Sequence, residues 1–213
     1  MNIPILWYRE KQVERTINNL EKHNILGFYV KDENELLIKI KELIKEASVV
    51  GVGDSMTLFE TGVIDLLRNG KYHFLDKYKD GLTREEKDQL YRAIFNSDTF
   101  LSSTNALTEE GELFNIDGNG SRVAPMIYGP RQVIIIAGIN KIVKNIEEAE
   151  KRVRNYAAPL DAKRLNKKTP CVALGYCVDC KSEERICNSF VTIKRQFIKD
   201  RIKVIIVGKE LGY

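Results

Sequence analysis

Gln132-Val133-Ile134-Ile135-Ile136-Ala137 decides how this chain folds. A strand with one wet face alternates apolar and polar residues. A continuous apolar run instead suits a strand covered on both faces, as in a parallel sheet. Ser48-Val49-Val50-Gly51-Val52-Gly53 and Ile202-Lys203-Val204-Ile205-Ile206-Val207 read the same way, and Phe28-Tyr29-Val30 and Tyr72 to Leu75 are shorter candidates. Amphipathic stretches separate them. Residues 5–23 place Leu6, Val13, Ile17 and Leu20 near helical spacing, and Glu35 to Glu46 does so with Leu36, Ile40 and Leu43. Thr57 to Arg68 and Thr83 to Phe95 each open with a Thr-x-x-Glu box (Thr57 with Glu60, Thr83 with Glu86). Residues 99–124 mix short strands with Asn, Asp and Gly turns. A charged helix is predicted from Asn145 to Ala157, ending before Pro159, and further helix near Asn188 to Ile198. Strands alternating with helices define an α/β protein with a mainly parallel sheet flanked by helices. The organisation expected is a helical arm over residues 1–30 and an α/β domain over 31–213 that includes the segment 169–190.

With 213 residues, the chain is long enough for one sizeable core. Basic side chains number 34 against 30 acidic, a net charge of +4. The surplus is spread along the sequence, which favours small anionic ligands weakly and gives no case for nucleic acid. No apolar run is long enough to span a bilayer, and the first residues, MNIPILWYREKQVERT, lack the pattern of a secretory leader. A cytoplasmic protein with reduced thiols is expected.

Three places carry candidate chemistry. The turn GVGDSMT holds Gly51, Gly53, Ser55 and Thr57 where a strand meets a helix, so backbone N–H groups and hydroxyls there can cradle an anion; a tight turn with ordinary caps is the competing reading. Asn105, Asp117, Gly118 and Arg122 lie in a polar, glycine-rich stretch that suits a pocket rim, against the alternative of a hairpin with Asx turns. Arg122 offers a planar fork for a carboxylate. Lys141 follows the Ile-rich strand and can face a carboxylate or phosphate, though a solvated lysine is the commoner case. Lys151, Arg152 and Arg154 suggest a solvated helix face. All four cysteines, Cys171, Cys177, Cys180 and Cys187, fall in one window. Their Cys-x5-Cys-x2-Cys-x6-Cys spacing suits a thiolate-bound metal, either an iron–sulfur cluster or zinc, with buried free thiols or a regulatory disulfide as alternatives. With only His23 and His73, a histidine-based triad is not expected.

The run from Thr104 to Val143, TNALTEEGELFNIDGNGSRVAPMIYGPRQVIIIAGINKIV, resembles the LUD domain of lactate-utilisation proteins. So do AEKRVRNYAAPLDAKRL (149–165), TPCVALGYCVDCKSEERICN (169–188), the final Glu210-Leu211-Gly212-Tyr213 and GDSMTLFETGVIDLL (53–67), and together the likeness spans about residues 10–213. The resemblance implies a fold like the ribose-phosphate isomerase, glucosamine-phosphate deaminase and CoA-transferase group. It also implies a component of L-lactate oxidation to pyruvate that binds a small anionic metabolite beside iron–sulfur oxidoreductase subunits, with a homo-oligomer compatible. A non-catalytic partner or sensor subunit, or an enzyme acting on a sugar phosphate or acyl-CoA, are the alternatives. Sugar-phosphate isomerases of that group carry Gly-Ala-Asp, then Asn-Gly-Asp, then Asn-Lys-x-Gly. Here Asn105 stands at the first acidic position and Gly111-Glu112 replaces the Gly-Asp pair, which removes the obvious proton carrier for enediol chemistry.

Overall fold

The computed structural model describes residues 3–213. Ten strands form two sheets: β1 (Leu26–Val30), β2 (Val49–Val52), β3 (His73–Phe74), β4 (Thr99–Ser102), β5 (Ala106–Thr108), β6 (Leu113–Asp117), β7 (Gln132–Gly138), β8 (Ile142–Val143), β9 (Ser189–Ile193) and β10 (Ile202–Val207). The main sheet has six strands in the order β1-β10-β7-β4-β2-β3, and every pair in it is parallel. The central position of β7 follows from its composition, because Val133 to Ala137 are fully buried.

Side chains of β7 leave the sheet on alternate faces. Ile134 and Ile136 join Val52, Leu101, Ile205 and Val207 in one cluster, covered by Leu36 and Ile40 of α2 (Glu33–Leu43). Leu58 of α3 (Met56–Glu60) and Ile64 and Leu67 of α4 (Val63–Asn69) close the same face. Val133 and Ile135 pack in a second cluster with Phe100, Val204 and Ile206, covered by Val13 and Leu20 of α1 (Ile3–Lys22), Ile94 of α5 (Arg84–Ile94) and Met126 of α6 (Val123–Ile127). Burying each such aliphatic side chain contributes about 1.5–3 kcal/mol. The helical arm is fastened to the domain. Ile17 fills the space above Gly27, Arg15 pairs with Glu109 at 2.8 Å, and the Asn19 amide donates to the Glu109 carbonyl at 2.8 Å.

The second sheet, β8-β5-β6-β9, grows out of the carboxyl side of β4 and includes the hairpin β5–β6. Residues around 188–198, expected to be helical, instead form β9, which pairs antiparallel with all of β6 from Ile193 opposite Leu113 to Ser189 opposite Asp117. Edge pairing overrides the local preference because β6 has unpaired backbone groups on that side.

Two helices differ from expectation. The stretch from Thr57 to Arg68 is broken into α3 and α4 at Gly62, which is left-handed at φ 72°. Ser55 caps α3 without a side-chain bond, so the Thr57–Glu60 box does not form, whereas the Thr83–Glu86 box does. The charged helix α7 (Ile146–Arg152) does not stop before Pro159. It widens into a π-helical turn, Val153–Ala157, and continues as α8 (Ala158–Arg164). Pro159 has no N–H to give and its ring crowds the carbonyl four residues earlier; the widened turn absorbs that mismatch. The extension carries Asp161 and Arg164 over the end of the main sheet. A short helix, α9 (Pro170–Leu174), then leads into the cysteine segment.

Candidate functional site

The carboxyl ends of β2, β4 and β7 open into one cavity of about 470 Å³. It lies where connections diverge, since β2 is flanked by β3 on one side and β4 on the other. That is the position at which open α/β sheets bind ligands.

Lys141 is its central feature. It ends the 3-10 turn Ile139–Lys141 after β7 and is 3% exposed, so it is not a solvated lysine. Its Nζ donates to Thr57 Oγ1 at 3.1 Å and to Ser103 Oγ at 2.9 Å, tying together the ends of β2, β4 and β7. Burial, with the nearby Arg152 and Arg122 charges, pulls its pKa down to about 7; Glu60 opposes weakly. The cations lining the cavity are Arg122, Arg164 and Lys141. Arg122 has Asp117 at 3.6 Å and Arg164 has Asp161 at 2.7 Å, while Lys141 has no carboxylate partner among the described residues.

Arg122 has a different role from the one its fork suggests. Nη1 donates to the Ser103 carbonyl at 3.2 Å and Asn115 Oδ1 at 2.6 Å; Nη2 donates to Asn105 Oδ1 at 2.8 Å and the Ile116 carbonyl at 2.7 Å. Both terminal nitrogens are spent inside the protein, so Arg122 fixes the cavity wall and lends charge without a free fork. Asn105 Oδ1 also accepts from the Ile116 N–H at 3.0 Å, so this side chain too is committed to the wall. Aiming Asn115 Oδ1 at Arg122 leaves Asn115 Nδ2 buried without a partner. Arg152, expected on a solvated face, donates to the carbonyls of Asn105 at 2.8 Å and Asn140 at 3.2 Å and steadies the same wall.

The glycine turn divides. Ser55 and Thr57 reach the cavity. Gly51 and Gly53 do not, which corrects the anion-cradle reading for both. A Cβ on Gly51 would stand 2.7 Å from Ile94 Cγ1, and one on Gly53 would stand 2.6 Å from Ser102 Oγ and 2.8 Å from Arg122 Cγ. These glycines serve close packing, and the Gly53 N–H is already given to the Leu101 carbonyl at 2.8 Å. Asp117 and Gly118 line the opposite rim, where Asp117 Oδ1 accepts from the Gly120 N–H at 2.9 Å in the Asx turn.

A second polar group was not legible as a motif. Lys77, 4% exposed, pairs with Asp54 at 3.0 Å and lies over the rings of Tyr91 (4.7 Å) and Tyr78 (5.3 Å). The Tyr78 hydroxyl donates to Asp54 Oδ1 at 3.1 Å and that of Tyr91 to Oδ2 at 3.3 Å. Burial, then Asp54, pushes the Tyr78 phenol far up and that of Tyr91 to about 12, so both remain donors. Burial lowers the Lys77 ammonium against the pull of Asp54. The tail closes the cavity: the Leu211 N–H donates to Asn140 Oδ1 at 3.1 Å and that of Gly212 to Glu60 Oε2 at 2.6 Å, setting Tyr213 in the lining.

Cys171, Cys177, Cys180 and Cys187 line a separate small hollow beside α8. Among the described residues, no three His, Cys, Asp or Glu side chains are already arranged as a closed metal site. No described helix is long and apolar enough to cross a membrane.

These features define an α/β protein with a cavity lined by charged and hydroxyl side chains at the carboxyl edge of a parallel sheet. Residues 13–207 match the LUD domain, and the chain belongs to that family. A crystal structure of a DUF162 family protein from Deinococcus radiodurans superposes with a TM-score of 0.57 at 14% identity, covering 94% of this chain and 98% of that one. None of the curated proteins matches the chain.

Proposed function

We propose that this LUD-domain protein binds a small anionic metabolite in the cavity at the end of β2, β4 and β7, with Lys141 as the group that meets the anion. The supporting observation is Lys141 itself. A buried ammonium held only by two neutral hydroxyls, with its pKa near 7, lacks a counter-charge that a carboxylate or phosphate supplies. Thr57 and Ser103 orient the amine. Ser55 offers a hydroxyl to the rest of the ligand, and Tyr78 and Tyr91, whose O–H groups are given to Asp54, shape the wall beside it. The family resemblance makes a 2-hydroxy acid of the lactate type the first ligand to test. In that reading the chain positions the acid, and electrons pass to an iron–sulfur oxidoreductase partner. The commitment of Asn105 to Arg122 favours a second reading, a ligand-sensing subunit without its own chemistry, over a sugar-phosphate isomerase.

Calorimetric titration of L-lactate, pyruvate and inorganic phosphate between pH 6 and 9 tests this. An anion raises the Lys141 pKa, so binding takes up a proton. Affinity should be flat below about pH 7 and fall up to tenfold per unit above it. A Lys141→Met variant should lose that pH dependence together with most of the affinity. Binding that is equally tight in the variant would remove Lys141 from the ligand site.

A further inference from the structure

The cysteine segment is separate from the metabolite cavity, and its geometry carries a reading of its own. We infer that Cys171, Cys177, Cys180 and Cys187 bind one tetrahedral zinc ion, and that this ion anchors the wall of the neighbouring cavity. Four thiols brought from α9, the loop after it and the residue leading into β9 face the same hollow. They are the only cysteines of the chain. Donor number and type are those of a closed structural zinc site.

Four cysteines also serve iron–sulfur clusters, so acid-labile sulfide is the readout that separates one ion from a cluster. The local backbone also suits a metal-bound thiolate. The Asp179 N–H donates to Cys177 Sγ at 3.4 Å across the Cys-x2-Cys turn, with Asp179 held left-handed at φ 47°. Bonds of this kind orient a ligand sulfur and offset its charge. Arg154 and Arg185 border the hollow, and Arg185 grips the loop by donating to the carbonyls of Cys180 and Cys187. Arg185 pairs with Asp179 at 2.8 Å and Arg154 with Glu150 at 2.7 Å, so the two guanidinium groups brace the loop that carries the thiols. Because no three ligands are yet in closed geometry, the site closes on binding, and the four thiol protons leave to solvent.

Ile186 and Ala158 line both this hollow and the metabolite cavity. Next to them the Asn188 N–H donates to the Asp117 carbonyl at 3.0 Å and its amide to the Gly118 carbonyl at 3.2 Å. A metal that fixes Cys180 and Cys187 therefore fixes the rim at Asp117 and Gly118.

The test is elemental analysis of the full-length protein purified anaerobically, with cobalt titration of chelator-treated protein read by visible spectroscopy. Expected are about one zinc per chain, no acid-labile sulfide, and the d–d bands of a tetrahedral thiolate–cobalt centre. Cys180→Ser should weaken cobalt binding by at least tenfold. If that variant does not fold, the wild-type titration alone decides. Substoichiometric metal with no cobalt bands, iron with sulfide in a cluster ratio, or disulfides among the four cysteines under reducing purification would each overturn the inference. None of these readouts depends on whether a metabolite binds.

Discussion

Replacing Lys141 by Met keeps the length of the side chain and deletes its titration, so the two proteins should differ most in how stability responds to pH. The amine sits near 7 when folded and at its ordinary 10.5 when the chain is unfolded. Between those values the unfolded state binds more protons, so the wild type gains stability as pH rises. Below about 7 both states are protonated and the burial cost is fully present. Integrating this single group from pH 7 to pH 9 gives a gain of roughly 2 kcal/mol for the wild type. Met at this position contributes no such slope, and every other titrating group cancels in the comparison. Urea unfolding of both proteins at pH 6, 7, 8 and 9 measures the difference. With a urea slope of about 2 kcal/mol per molar, the gap between the midpoints should move by about 1 M in favour of the wild type from pH 7 to 9. A gap constant across that range would mean that Lys141 is protonated throughout, and the argument for an uncompensated buried amine would fail.

Arg122→Lys keeps the charge but cannot reach the four acceptors of the fork. It should cost roughly 3–5 kcal/mol and lower the thermal midpoint sharply. Gly51→Ala forces a methyl against Cγ1 and Cγ2 of Ile94 and should destabilise by about 1–3 kcal/mol by chemical denaturation; Ile94→Ala, which removes both atoms, should cost less in the Gly51→Ala background than in the wild type. Asp54→Asn strips the carboxylate from buried Lys77. The loss, roughly 3 kcal/mol at neutral pH, should shrink as pH rises through the lowered Lys77 pKa, and a loss independent of pH would show that the pair does not hold Lys77 charged.

The main sheet was legible because its strands are buried on both faces. In β7 and β10 every position except Gln132 and Lys203 is apolar or small, and that pattern is written into consecutive residues. The Thr83 box was equally readable, since its two reciprocal bonds lie within four residues. Helix expected near residues 188–198 became β9 because its partner, β6, is distant in sequence, and pairing of that kind leaves no local periodicity. Pro159 looked like a terminator, and only the packing of Val153 and Ala157 against Phe114 and Ile116 keeps the helix running through it.

The candidate site divides in the same way. Ser55, Thr57, Asn105, Asp117, Arg122 and Lys141 were visible as polar residues near strand ends, with Gly118 in the turn beside them, and all seven line one cavity. What each can do there depended on neighbours from other elements. Arg122 loses its fork to Asn105, Asn115 and two carbonyls, and Gly51 and Gly53 are claimed by packing. Lys77 and Tyr78 sit in an unremarkable loop and acquire significance only beside Asp54. Sequence alone determined the alternation of strands and helices, the family, and the clustering of four thiols, because each is recorded in nearby residues. Tertiary structure alone decided that Lys141 is buried without a carboxylate partner among the described residues, because its pKa is set by the desolvation and charges of groups far away along the chain.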